Sequence, residues 1–544
     1  MWANEFSLNS FPHFNTQTAM KKEISASETK DDLSGKASGM SRRQFVSLTG
    51  TTALGFSIVP RHVLGGTGYI APSDKITMAY IGMGTQGIRE LLPLLTVPEI
   101  QVVAVCDPCK EARGYRDWDI NSLKNEVRKA LNKPDWTPGG DNTIPGGLDN
   151  GKEIVEAWYA SMRPDKKYKG CAAYADVREL LEKEKGLDSV RIMTPDHLHG
   201  VLAMAAIKRG KHVLMHKPLS NRLLEGKKVI ELARSRPKVI THLIPWDSNG
   251  SMETVMAWIN AGAIGKLTEV HNWTNRPVWP QFPELPTDKP PVPEGFNWDL
   301  WLGPESDRAY HPNYTHMVFR GWYDFGGGAM ADMGHYSLWT VFEALRLTSP
   351  TSVEPHRSHV VSFNGPVPSQ INNDFSFPLA TSVRFRYPAN EARGPVDLFW
   401  YDGGMRPAVP EELSAVYKEL PAEGMLFVGE KGKILTGFRL EDPQIISGIK
   451  MEAPAGVVQK ISGRVQMTTE ALPRFVQACK AGKQYPGSFS DAGYITEAVN
   501  LYAAALRANK LLKYDAASGK ITNVESANKY LQRDYRPGWQ LGSI

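Results

Sequence analysis

Cysteine is scarce in this chain: four among 544 residues. Thiols placed only at Cys106, Cys109, Cys171 and Cys479 cannot staple a chain this long, which excludes a disulfide scaffold. Cys106 and Cys109 have C-x-x-C spacing, yet no second ligand pair is spaced for zinc, so no metal site is expected. Charge of one sign is also in short supply. Lys and Arg total 63 against 58 Asp and Glu, a net +5 spread along the whole chain. That excludes the concentrated basic surface a nucleic-acid partner requires. Long apolar runs are absent as well, and nothing approaches the ~20 residues of a bilayer-spanning helix. No internal repeat is present. What remains is a chain with 42% hydrophobic and 22% charged residues. It has the composition of a soluble globular protein with a large core and enough length for two or three domains.

Residues 1–73 read as a leader. The first forty are polar and aperiodic, which predicts disorder. The stretch SRRQFVSLTGTTALGFSIVP (41–60) follows, and its paired Arg42-Arg43 before a short apolar segment resembles a twin-arginine export signal. Such a signal implies the twin-arginine export machinery as a partner and a periplasmic or otherwise exported destination. That route carries folded proteins, so a cofactor loaded in the cytoplasm would travel with the chain.

Residues 74–244 alternate short apolar runs with helical periods. Strands are expected at 76–81, 100–108, 189–194, 211–215 and 238–244; a helix follows the glycine-rich turn, with apolar residues at 88, 91, 92 and 95, and others lie near 176–185, 197–210 and 221–236. Residues 114–170, polar and punctuated by TPGGDNTIPGG, read as a surface excursion. Near-continuous apolar strands separated by helices predict a parallel sheet covered on both faces. Residues 245–544 change texture: Trp, Pro and Asn crowd 271–301, and TSVRFRYP and DLFWYDG alternate. They predict a second, α+β domain with an open, mostly antiparallel sheet, its C-terminal helices packing back on the first domain.

Gly82-Met83-Gly84-Thr85-Gln86-Gly87 is G-x-G-x-x-G directly after a strand and opening a helix. The first glycine makes the turn, the second admits a pyrophosphate to the backbone, and the third allows close helix–strand packing. Asp107 ends the second strand, 20 residues after Gly87. A carboxylate there suits the hydroxyls of an adenosine ribose and repels a 2′-phosphate, which favours NAD over NADP.

The stretch VLMHKPLS (213–220) drives an apolar strand into a charged amine, Lys217. Burying that amine is costly unless it is paired or used. Together with IGMGTQG, VVAVCDP, VRIMTPDHLHG, AGAIGKLTEVHNW and GGGAMADMGHY, the block resembles the Gfo/Idh/MocA oxidoreductases over about residues 75–540. The resemblance implies a Rossmann domain, NAD, and a second domain covering the nicotinamide. It also implies a homo-oligomer, dimer or tetramer, and a small carbohydrate substrate. By the same match Lys217 reaches the nicotinamide ribose and the substrate hydroxyl, although His216 stands where the family usually has Glu. Thr194, Pro195 and His197 line the cofactor, with His199 nearby. In GGGAMADMGHYSLW (326–339), Asp332, His335, Tyr336 and Trp339 share one helical face. The family commonly places a histidine four residues after the aspartate; here Tyr336 holds that place and His335 precedes it. A tyrosine there resembles the glucose–fructose oxidoreductase branch. The proton-accepting base is therefore Tyr336 or His335, with Asp332 orienting the substrate hydroxyl or the lysine. Lys217 is expected to favour a Tyr336 phenolate. Trp246, Trp273, Trp279, Trp322 and Tyr323 offer flat faces for a sugar ring, and Asp247 and Arg276 offer groups for its hydroxyls.

The expected activity is oxidation of a ring hydroxyl of a sugar or glycoside, with the cofactor tightly held. Two alternatives stand beside it: an NAD-dependent glycosidase acting by transient oxidation and elimination, and a non-catalytic sugar-binding protein that keeps the fold.

Overall fold

The computed structural model describes residues 70–71, 74–111, 113–246, 250–415, 418–456 and 471–544. The leader and its twin-arginine stretch lie outside the described residues.

The first domain runs β1 (Ile76–Ile81), α1 (Thr85–Leu95), β2 (Ile100–Cys106), α2 (Ser122–Leu131), α3 (Leu148–Ser161), β3 (Ala172–Tyr174), α4 (Val177–Lys183), β4 (Ser189–Ile192), α5 (Asp196–Lys208), β5 (His212–His216), α6 (Leu223–Ser235) and β6 (Thr241–Ile244). Its strands form one parallel sheet in the order β3-β2-β1-β4-β5-β6. β4 and β6 are buried at every position, as a sheet covered on both faces requires. Strand order reverses between β1 and β4. At such a switch point the helices leave to opposite faces and open a crevice at the strands' carboxyl ends.

The reading of 114–170 as a surface excursion is corrected here. α2 and α3 lie within it, and Leu123, Val127, Leu131, Ile154, Val155 and Tyr159 pack with Ile88, Leu91 and Val102. In α2 apolar residues once per turn among many charges are enough to bury one helical stripe; in α3 the pairs Ile154-Val155 and Trp158-Tyr159 make it wider. The Val102 N–H donates to the Tyr159 hydroxyl at 2.9 Å, fixing α3 to β2.

The second domain contains α7 (Gly250–Asn260), β7 (Leu267–Trp273), α8 (Trp298–Leu302), α9 (Gly328–Ala344), β8 (Ser352–Arg357), β9 (Val360–Asn364), β10 (Val367–Ile371), β11 (Thr381–Tyr387), β12 (Val396–Asp402), β13 (Gly424–Gly429), β14 (Gly432–Thr436) and β15 (Gln444–Ser447). Then follow α10 (Ala471–Ala481), α11 (Gly493–Ala508), β16 (Leu512–Asp515) and β17 (Lys520–Ile521). Nine strands form one sheet, ordered β15-β14-β13-β7-β12-β11-β8-β16-β17, antiparallel except where β7 meets β12; β9 and β10 form a separate hairpin. Strict alternation turns Val383, Phe385, Tyr387, Val396, Leu398 and Trp400 inward, into the core that also holds α9 and α11.

The chain's end returns to the first domain. Leu472, Phe475 and Val476 of α10 join the cluster containing Leu214, Ile240 and Ile244. The Leu243 N–H donates to the Gly487 carbonyl at 2.9 Å. Further on, Arg533, 9% exposed, pairs with Glu305 and Glu225 across the domain boundary.

Candidate functional site

A cavity of about 610 Å³ opens at the carboxyl ends of β1, β4 and β5 and is closed on its far side by residues 276–279, 316–320 and α9. The glycine turn forms one wall. Gly82 has φ +100, and a Cβ on it would lie 2.6 Å from the Met193 backbone. A Cβ on Gly87 would meet the Gly82 carbonyl oxygen at 2.2 Å, so α1 presses directly onto the turn. Gly84 caps α1 without any side chain, and the nearest atom to its hypothetical Cβ is 3.6 Å away, on Tyr115. Helix-start amides and an open backbone face therefore front the cavity at Gly84, Thr85 and Gln86, which fits a pyrophosphate. Met83 contributes its backbone only. Its side chain is buried, and a Cβ on Gly151 of α3 would come within 2.3 Å of its sulfur.

Asp107 lies on the cavity wall. Its carboxylate accepts the Met83 N–H at 2.6 Å and the Cys109 N–H at 2.8 Å, tying the glycine turn to the end of β2. Burial pushes this carboxyl up to about 6, against the two backbone bonds. Thr194 and Pro195 also line the cavity, and the buried Thr194 hydroxyl has no partner among the described residues, a vacant donor that suits a bound cofactor.

Lys217 ends β5 inside the cavity, 2% exposed. Its Nζ donates to Asp332 Oδ1 at 2.6 Å and sits 5.2 Å from the Tyr336 ring centre. Burial lowers the amine's pKa, and Asp332 opposes the shift. Burial alone would raise the Asp332 carboxyl, yet Lys217 and then Arg320, whose Nε is 3.1 Å from Oδ1, hold it at about 2. Tyr336 faces the same space. Its hydroxyl is 3.0 Å from His216 Nε2, which is 3.2 Å from Glu90 Oε1; Glu90 is in turn paired with buried Arg191. The expectation of a Tyr336 phenolate is corrected: burial, reinforced by Glu90, pushes the phenol well above its ordinary value.

The structure gathers Lys217, Asp332, Tyr336, Arg276 and Trp279 with the glycine turn, Asp107, Thr194 and Pro195 around one cavity. Other expected residues stand off its wall. His335, 1% exposed, lies on the core side of α9 beside Trp339, one position and so about 100° around the helix from Tyr336. His197 bonds the Trp301 carbonyl at 2.8 Å, and His199 bridges the Pro218 and Thr194 carbonyls, so both brace the wall from behind. Trp246 donates to Glu343, Tyr323 packs on Phe377, and Trp273 and Trp322 are buried in core clusters. Asp247 lies outside the described residues. Sequence reasoning missed Glu90, Arg191, Arg320 and Arg439. Arg191 carried a signal: a charge inside the four-residue buried strand β4 needs a buried partner.

The buried histidines make stability pH-dependent. Burial lowers His197, His242 and His335 to about 3, from an ordinary value of 6.5. In acid the unfolded chain takes up protons at these three sites that the folded chain refuses, and His199, His216 and His316, lowered by burial in the same way, add to them. Asp107 and Asp402, raised to about 6 by burial, act oppositely and are already protonated in the folded state below that pH. The surplus is at least about one proton, so stability should fall by at least about 1.4 kcal/mol per unit as pH drops from 5.5 toward 4. Urea melts across that range check the slope; a flat or rising profile would contradict it.

Two family models match the chain: the NAD-binding Rossmann fold of the Gfo/Idh/MocA oxidoreductases over residues 145–243, and that family's C-terminal alpha/beta domain over 252–357. The dTDP-3,4-didehydro-2,6-dideoxy-alpha-D-glucose 3-reductase of Streptomyces violaceoruber is 35% identical over 98 residues, 18% of this chain and 28% of that protein. The levoglucosan dehydrogenase of Pseudarthrobacter phenanthrenivorans is 29% identical over 113 residues, 20% of this chain and 28% of its own length. The matches thus span under a third of each of these two relatives. Among solved structures, a levoglucosan dehydrogenase in complex with NADH and L-sorbose is 13% identical with a TM-score of 0.46, covering 81% of this chain and 99% of that one. The WlbA dehydrogenase from Bordetella pertussis, in complex with NADH and UDP-GlcNAcA, is 12% identical with a TM-score of 0.47 over the same shares.

Proposed function

Starting from the premise that the chain belongs to the Gfo/Idh/MocA oxidoreductase family, we propose that it is an NAD-dependent sugar or glycoside dehydrogenase acting on a ring hydroxyl. One observation carries the reading: Lys217, Asp332 and Tyr336, from two domains, meet in the cavity that the glycine turn also lines. Gly84, Thr85 and Gln86 would hold the pyrophosphate, and Asp107 keeps lone pairs for the adenosine ribose. When bound, NAD accepts the hydride released from the carbinol carbon.

The chain's own groups handle the proton. Lys217, held by Asp332, donates a hydrogen bond to the substrate oxygen and stabilises negative charge developing there. Tyr336 accepts the hydroxyl proton as it passes its own phenolic proton to His216, 3.0 Å behind it, and Glu90, 3.2 Å beyond, stabilises the imidazolium that forms. A phenol kept protonated by burial also serves the reverse direction, giving a proton to a ketone. Trp279 offers an aromatic face to the sugar ring. Dimer or tetramer formation and export by the twin-arginine route, on Arg42-Arg43, belong to the same proposal.

The test starts with the purified protein. It is denatured, the released nucleotide is identified, and pyranosides are screened for absorbance at 340 nm. NAD and net NADH formation are expected. Tyr336→Phe should lower kcat on the responding sugar by about 10²-fold or more, with little change in KM. Aglycone release without net NADH would instead favour the glycosidase chemistry. Nucleotide-free protein that binds sugar would favour the non-catalytic reading.

A further inference from the structure

We propose that the substrate is an anionic monosaccharide, a pyranose bearing a carboxylate, sulfate or phosphate; this rests on the dehydrogenase reading above. The charge balance at the reacting end of the cavity points there. Lys217 and Arg320 share one carboxylate, Asp332, at 2.6 and 3.1 Å. Arg276 adds a third cation on the same wall, near enough to Asp332 to help lower its carboxyl. Among the described residues Arg276 has no carboxylate in ion-pair distance; its guanidinium lies over the Trp118 ring, 5.1 Å away, and its buried Nε has no partner. Three cations on the wall thus stand against one carboxylate on it, with Asp196 buried behind Lys217 and bonded to the Gly327 N–H, in a space where a cationic nicotinamide would add further positive charge.

Nearby charges do not close the gap. Glu90 is committed to Arg191 and His216, and Asp117 to Arg89. Asp107 sits at the far, ribose end, tied to the glycine turn. Arg439, 4.3 Å over the Tyr336 ring, adds a further guanidinium to the wall. A neutral sugar would leave Arg276 partly desolvated with no carboxylate, and Lys217 and Arg320 sharing one, which is costly. A planar guanidinium instead pairs with a carboxylate, sulfate or phosphate through two parallel N–H bonds. Arg320 also stacks within 4.5 Å of the Phe319 ring and lies 6.0 Å from that of Trp279, so the charge is delivered beside the aromatic face that receives the ring.

Calorimetric titration of the NAD-loaded protein tests this without needing turnover. The ligands are methyl β-glucoside, methyl β-glucuronide, glucose 6-sulfate and glucose 6-phosphate. At least one charged ligand should bind about tenfold tighter than the neutral glucoside, and the tightest names the anionic group. Arg276→Gln should bring that ratio to within about twofold, and Arg276→Lys should restore part of it. Equal or tighter binding of the neutral sugar, or no binding of any charged one, overturns the proposal. So does an Arg276→Gln protein that keeps the ratio and loses NAD instead, since the arginine would then serve the cofactor's phosphates. Preferential binding of a charged sugar with no NADH formed would leave this inference standing and remove the dehydrogenase reading.

Discussion

Lys217→Met is expected to lower the rate of hydride transfer by about 10³-fold while the protein still retains NAD. Methionine matches the lysine stem in length and tolerates a buried site, so the end of β5 should keep its shape. What disappears is the only lysine amine among the described residues at the reacting end of the cavity, bonded to Asp332 at 2.6 Å. Asp332 keeps its ion pair with Arg320, so no buried carboxylate is stranded, and its pKa should rise from about 2 toward the ordinary range. Nucleotide retention should persist because the glycine turn and Asp107 lie on a different part of the wall. Single-turnover absorbance at 340 nm reads the chemical step, and denaturation followed by nucleotide analysis reads retention. Near-normal turnover in the variant would reject the role of Lys217.

The second large effect separates two glycines that the motif alone treats alike. Gly87→Ala places a methyl 2.2 Å from the Gly82 carbonyl oxygen, and both partners are backbone. Neither can move without breaking the fit of α1 on β1, where the Tyr80 hydroxyl also donates to the Gly87 carbonyl at 2.7 Å. A loss of about 3 kcal/mol of stability is expected, enough to unfold a marginal protein. Gly84→Ala meets nothing nearer than 3.6 Å, so the fold should be unchanged. Its methyl would occupy the space through which the pyrophosphate reaches the backbone, and NAD affinity should fall at least about tenfold. Urea melts and nucleotide titrations of the two variants measure the split. Equal behaviour of the two would mean that the turn acts only as packing.

Much of this was legible beforehand because the deciding signals are local. G-x-G-x-x-G between a strand and a helix specifies its own geometry. A lysine at the end of an apolar strand must sit at the sheet's edge. β11 and β12 announced themselves by alternation. The stripe Asp332, His335, Tyr336, Trp339 was legible as one helical face, but α9 is wrapped on nearly every side, and only the neighbouring elements decide which member reaches the cavity. That is why Tyr336 faces it and His335 faces Trp339. The Tyr336 phenolate was misjudged for a related reason: Glu90 comes from α1, 246 positions earlier, and no local pattern announces its charge. His197 and His199 sit at the start of α5 as expected, but the carbonyls of Trp301, Pro218 and Thr194 claim their rings. Helix α2 was hidden by composition, since Leu123, Val127 and Leu131 make a stripe one residue wide among many charges, and α3 by the Pro-Gly-rich stretch that precedes it.

The account turns on where the nicotinamide end of the cofactor lies, and a crystal structure of the NAD complex measures that directly. The prediction is a pyrophosphate on the Gly84–Gln86 amides and a nicotinamide ring in van der Waals contact with the space between Lys217 and Tyr336. A nicotinamide ring seated elsewhere, with the Lys217 amine still closed on Asp332 and remote from it, would contradict the account.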